Sequence, residues 1–312
     1  MEAAATVDNR VSLVLGAGGA RGLAHIGVIE VLQERGYPIA GVAGCSMGAL
    51  VGGIFCAGRL PEYKHWACTL GKRDVVRLVD IAFGSPGFIK GDRVIAVLRE
   101  LVGRYDIEAL PIPFCAVATD LDARQECRIV DGPLFDAIRA SIAIPMLLTP
   151  HVHKGRLLVD GGLLSPVPLA AAEHFNLPFV VAVDLNADHA EHRLNASPES
   201  VSAEAHLTAE HAVHREAIEH GWHRLLRGMR WRRAVKAVST PGSRGLMDLM
   251  SRSLGTMHGF MTEVQLERNP PDVIISIPHD ACAIYEFWRA EEMIALGRQA
   301  ATAALDQFEA GI

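Results

Sequence analysis

Neither a Cys-x-x-Cys pair, a His-Glu-x-x-His signature nor a Gly-Lys-Ser/Thr loop occurs in the 312 residues. Each absence closes a class. Without the first two there is no short-spaced thiolate or zinc-peptidase site, and without the third no Walker-type phosphate loop. The six cysteines (45, 56, 68, 115, 127 and 282) fall mainly in apolar runs, which predicts buried, reduced thiols. Met1 to Asp8 offers no cationic region and no apolar core, so no secretory signal is expected. The expected location is cytoplasmic, extending to peripheral contact at the inner membrane surface. A net charge of −6 argues against general nucleic-acid binding. No Pro/Ser/Gly-rich linker and no internal repeat divides the chain, and half of it is hydrophobic. One domain over 1–312 is therefore expected.

What the chain does have is glycine in particular places. Gly44-Cys45-Ser46-Met47-Gly48 follows the apolar run Ile39 to Ala43 and precedes a helix-like run, Ala49 to Ala57. In a strand–turn–helix setting, Gly-x-Ser-x-Gly is a nucleophile elbow, with the serine hydroxyl pushed out where a carbonyl carbon can reach it. Gly44 and Gly48 are expected to be bare because side chains there would collide across the turn. The helix start directs its positive end at developing negative charge. Tyr37 to Gly58 is uncharged and long enough to span a bilayer. Its glycines and its turn favour a buried strand–turn–helix instead.

A second glycine-rich stretch, Gly16-Ala17-Gly18-Gly19-Ala20-Arg21-Gly22, follows the apolar run Val11 to Leu15. Such a loop can turn bare N–H groups towards an anion. A dinucleotide fingerprint wants glycine where Arg21 stands and an acidic ribose partner after the next strand. An oxyanion hole needs only N–H groups near a nucleophile, and Gly16, Gly18, Gly19, Ala20, Arg21 and Gly22 are the candidates. Arg21 either holds this loop or meets an anionic group of the substrate, a surface ion pair being the plainer role.

Asp160 ends the apolar run Leu157 to Val159 and precedes Gly161-Gly162. A carboxylate so placed can be the base that activates a serine, or it can cap a turn. Asp120 and Asp122 are alternative bases with turn roles preferred. A third triad member is also open: His25 follows the first glycine loop, and His279 is the late candidate. Cys45 is expected to be structural.

Glycine loop, elbow serine and Asp-Gly-Gly, in this order, resemble the patatin-like phospholipase family, including bacterial single-domain members and the esterase domain of neuropathy-target-esterase type proteins. Gly87-Phe88-Ile89-Lys90-Gly91, Ala118-Thr119-Asp120-Leu121 and Ile138 to Pro145 add to the likeness, which runs from about Val11 to Asp184 and resumes near Leu246 to Pro278. The resemblance implies a Ser46–Asp160 dyad without histidine, an oxyanion hole around Gly18 and Gly19, and a three-layer α/β fold. It also implies action on lipid esters, as a phospholipase A or lysophospholipase, with no metal or organic cofactor. A thioesterase or acyltransferase would use the same dyad, and a non-catalytic regulatory module could keep the fold.

Strands are predicted near 11–16, 39–44, 113–119, 125–130, 156–159, 179–184 and 273–277. Helices are predicted near 22–35, 46–57, 92–104, 133–140, 168–175, 203–236, 246–267 and 286–309. That alternation gives a mostly parallel sheet with helices on both faces. The stretch at about 188–244 reads as a less family-like helical insertion. It contains His189, His192, His206, His211, His214, His220 and His223, for which no metal role is expected. Within it, 215–236 carries seven Arg/Lys beside Trp222, Leu225, Leu226 and Met229. That pattern suits peripheral membrane contact, or a lid or dimer helix packed on protein.

Overall fold

Val11–Leu15 is buried at every position, and Phe179–Ala187 is buried from Val181 onward. Strands enclosed on both faces require a layer on each side. The computed structural model describes residues 9–80, 87–187 and 246–311. In chain order the main elements are β1 (Val11–Leu15), α1 (Ala24–Glu34), β2 (Ile39–Cys45), α2 (Met47–Cys56), α3 (Leu60–Thr69) and α4 (Lys72–Leu78). Next come β3 (Gly87–Ile89), α5 (Asp92–Val102), β4 (Phe114–Asp120), β5 (Gln125–Ile129), α6 (Leu134–Ser141), β6 (Met146–Leu148) and β7 (His151–His153). The last are β8 (Arg156–Asp160), α7 (Leu169–Ala172), β9 (Phe179–Ala187), α8 (Leu246–Arg268), β10 (Val273–Pro278) and α9 (Ala290–Glu309).

The main sheet has the order β10-β9-β1-β2-β4-β8-β7, with β5 also pairing β4. From β10 to β4 the strands are parallel. β5 and β8 are antiparallel to β4, and β7 to β8. One face carries the large apolar core, where Leu13, Leu15 and Val42 meet side chains of α1, α2, α5, α6 and α9. The other face is thinner: Val14 and Ala182 pack with Val167, Leu169 and Leu266 from α7, α8 and their surroundings. This is the three-layer α/β fold with a mostly parallel sheet that the sequence predicts. On the thick side α1 and α9 touch backbone to backbone. A Cβ at Gly27 would stand 2.1 Å from Ile294 O, and one at Gly297 would stand 2.0 Å from Ala24 O.

Several local expectations need correction. The first helix does not start at 22: Gly19–Leu23 is a 3-10 turn, because Ala20 N–H is drawn to Ile284 O. The sequence pattern predicts no helix where α3 lies, although Pro61 and Glu62 sit in its first turn, where both are favourable. α4 has no buried residue and so no apolar period to reveal it. β3, β6 and β7 are three residues each, too short for a visible alternation. Among the described residues no helix is long and apolar enough to cross a membrane, and Tyr37 to Gly58 folds as strand, turn and helix. The predicted helix 203–236, its basic part 215–236 and the seven histidines of the insertion lie outside the described residues.

Candidate active site

Ser46 stands between β2 and α2 with φ 55° and ψ −121°, a left-handed backbone that costs a serine on the order of 1–3 kcal/mol. The turn leaves no choice about its neighbours. A Cβ at Gly48 would lie 2.0 Å from Leu15 O, and one at Gly44 would lie 2.4 Å from Gly48 O. The serine's own N–H is held by Ser141 Oγ at 2.9 Å, and that hydroxyl donates to Val117 O at 2.6 Å. Ser141, at the end of α6, therefore ties the elbow to β4. The residue lies in the family-like stretch Ile138 to Pro145, but nothing in the sequence announces this role.

Strand register brings the carboxylate to the serine. Cys45 pairs with Val117 across β2 and β4, and Ala118 pairs with Asp160 across β4 and β8. Ser46 Oγ donates to Asp160 Oδ2 at 2.5 Å, and both residues are buried. Asp160 Oδ1 accepts Gly162 N–H at 2.8 Å and the Cys45 thiol at 3.8 Å. Burial pushes the Asp160 carboxyl up to about 6, against these three hydrogen bonds, which favour its ionised form. A carboxylate near 6 is ionised at neutral pH yet basic enough to take a proton. Cys45 is buried beneath the pair, and burial, followed by the charge of Asp160, holds its thiol well above the ordinary range. It is no nucleophile.

The glycine loop divides into supports and free donors. Gly16 N–H is spent on Val183 O, Ala17 N–H on Pro166 O and Ala20 N–H on Ile284 O. The N–H groups of Gly16 and Ala20, both expected among the loop's free donors, are therefore already bonded. Gly22 is a packing position, since a Cβ there would meet Met47 Cβ at 2.3 Å. Gly18 and Gly19 line the cleft beside Ser46 and Asp160, and among the described residues their N–H groups meet no acceptor. Arg21 is buried rather than a surface ion pair. Its Nη1 donates to His279 O and Cys282 O, and its Nη2 to Asn186 Oδ1. Asn186 in turn donates to Ala17 O, so Arg21 fastens the loop to the ends of β9 and β10.

The other candidates stand elsewhere. His25 Nε2 bonds Gly16 O under the loop, and burial lowers its pKa to about 4. The His279 ring faces Ala187 O. Neither reaches Ser46. Asp120 caps a turn by accepting from Asp122 and Ala123 N–H, the preferred reading for it. A residue the sequence reading passed over completes the cleft: His258 of α8 lines it with Leu254, Gly255, Ile144, Pro145 and Leu163. Its only sequence signal is a lone histidine between Gly255 and Gly259 on a helix. All six cysteines are free and five are buried, as their apolar settings predict.

The family model described as patatin-like phospholipase matches residues 13–173, a span that includes both Ser46 and Asp160. The chain belongs to the patatin-like phospholipase family. An uncharacterised NTE family protein of Mycobacterium tuberculosis (strain ATCC 25618 / H37Rv) is 39% identical over 333 residues, covering 96% of this chain and 92% of that protein. The neuropathy target esterase sws of Drosophila melanogaster is 30% identical over 184 residues, which are 57% of this chain and 13% of that protein. The solved structure of VipD from Legionella pneumophila superposes at a TM-score of 0.49 and 15% identity, covering 96% of this chain and 67% of that one. This patatin-like chain thus sits in a family of lipid ester hydrolases.

Proposed function

We propose that this protein is a serine acyl hydrolase of phospholipase A or lysophospholipase type, with Ser46 as nucleophile and Asp160 as base. The observation that carries the reading is the 2.5 Å bond from Ser46 Oγ to Asp160 Oδ2, beside a loop with N–H groups to spare. Ser46 Oγ attacks the acyl carbonyl of a lipid ester while Asp160 takes its proton. The N–H groups of Gly18 and Gly19 receive the oxyanion, together with the positive end of α2. Loss of one such donor typically costs about 100- to 1,000-fold in rate. The proton on Asp160 passes to the departing alcohol, water cleaves the acyl-enzyme, and fatty acid is released. Histidine has no place as base, because Asp160 already holds the serine hydroxyl.

Fatty acid release from a lysophospholipid and from phospholipid vesicles tests this. Ser46→Ala and Asp160→Ala should each reduce it by about 1,000-fold or more. In the wild type, kcat/KM should fall as pH drops through about 6, where Asp160 takes up its proton. Activity within threefold of wild type in either variant removes that residue from the mechanism. Release that needs an added acceptor alcohol, or that occurs only from acyl-CoA, would instead assign a transferase or thioesterase.

A further inference from the structure

His258 has no part in the chemistry above, yet it lines the same cleft. A methyl placed on Gly162 would stand 2.9 Å from His258 Nε2 and 3.1 Å from Asp160 Oδ1. Imidazole and carboxylate therefore face one another across a bare glycine. Arg21 and Asn186, the other polar side chains of the cleft outside the dyad, spend N–H groups on the loop scaffold. His258 has no hydrogen-bond partner among the described residues.

Its protonation state narrows what it can do. Burial and the charge of Arg21 bring its pKa down to about 4. At pH 7 only about one ring in a thousand carries the second proton, too few for a general acid. Nor is it the base for Ser46, whose hydroxyl is given to Asp160. A neutral imidazole offers one donor and one acceptor. The cleft holds a cavity of about 40 Å³, where one water needs roughly 10–15 Å³.

We propose that His258 holds the hydrolytic water, and before it the departing alcohol oxygen, in line between Asp160 and the acyl carbon. The proposal rests on the reading of Ser46 and Asp160 given above. In deacylation the water oxygen bonds to the acyl carbon and its proton goes to Asp160. The bond from that carbon to Ser46 Oγ then breaks, Asp160 returns the proton to Oγ, and the carboxylic acid leaves. Asp160 Oδ1 is already occupied by Gly162 N–H and the Cys45 thiol. The base alone gives the water one acceptor, and a second hydrogen bond is needed to aim it. The alcohol departs along the path by which water arrives, so one residue serves both steps.

Rapid mixing with p-nitrophenyl butyrate separates those steps, because p-nitrophenoxide leaves without needing a proton. His258→Ala should show a burst of about one nitrophenoxide per enzyme, followed by a steady rate about tenfold or more below wild type. His258→Gln, neutral and able both to donate and to accept, should restore most of that rate. Fluorophosphonate labelling should proceed in both variants within about threefold of the wild-type rate. A steady rate within twofold of wild type in His258→Ala overturns the proposal. So does a parallel fall of burst, steady rate and labelling, which marks a packing role. A wild-type enzyme that takes no label overturns instead the assignment of Ser46 on which the proposal depends.

Discussion

Asp160 is a carboxylate kept where burial opposes its charge. Its carboxyl rises to about 6 in the folded chain from an ordinary 3.8. A raised carboxyl pKa means the folded state binds its proton more tightly than the unfolded state does. The associated stability is full below about pH 4 and is lost as pH rises through about 6. Asp160→Asn, of the same shape and uncharged, should therefore be inactive yet more stable than wild type at pH 7.5, by about 2–3 kcal/mol. The gain should vanish near pH 4. Urea midpoints at the two pH values check this, and an equal or lower midpoint at pH 7.5 contradicts it. At this scale the sequence was informative wherever a residue type had to meet a steric or chemical demand. Gly48 faces Leu15 O at a distance only glycine tolerates, and the Gly-x-Ser-x-Gly pattern states as much. Gly16 and Ala20 look the same as Gly18 and Gly19 in the sequence. Which N–H groups are spent on neighbouring carbonyls is decided by β9 and by the segment at Ile284, far along the chain.

Among the elements, the elbow depends on a helix that never touches substrate. Ser141 closes α6 and, through one hydroxyl, joins Ser46 N–H to Val117 O. Ser141→Ala leaves a buried amide and a buried carbonyl each short of a partner, a loss of about 1–3 kcal/mol. The freed elbow should lower kcat by about tenfold with KM little changed, and steady-state kinetics beside a thermal melt measure both. Unchanged kcat with lowered stability would make Ser141 purely structural. Strand order explains why such links escape sequence reasoning: Asp160 reaches Ser46 only because β8 pairs antiparallel with β4, and Ala118 falls opposite it. Alternation along the chain predicts the strands, not which of them become neighbours. α8 illustrates the same gap. The sequence predicts it as a helix, but its placement over the cleft, and so the position of His258, follows from anchors such as Gln265, which bonds Leu164 O, Ser165 Oγ and Val167 N–H.

For the molecule as a whole, the alternation of strands and helices and the family resemblance together make the three layers legible in the sequence. The unequal thickness of the two helical layers is not. It comes from contacts such as that of α1 with α9, where Gly27 and Gly297 let two helices 270 residues apart in places share backbone contact. Gly297→Val would drive a branched side chain into Ala24 O and should cost more than about 3 kcal/mol. Chemical denaturation reads this directly, and a loss under 1 kcal/mol would show that the two layers can slide apart cheaply. Because α1 begins where the glycine loop ends, such sliding should also slow turnover.

In the proposed reaction one serine, paired with one carboxylate, carries the acyl group. The most direct measurement of this is fluorophosphonate labelling of the wild-type chain, with peptide mass spectrometry to locate the adduct, beside Ser46→Ala and Asp160→Asn. Labelling should give a single adduct on Ser46, none in Ser46→Ala, and a rate slowed by about 100-fold or more in Asp160→Asn. A folded wild-type protein that takes no label, or one labelled elsewhere than Ser46, would contradict that reaction.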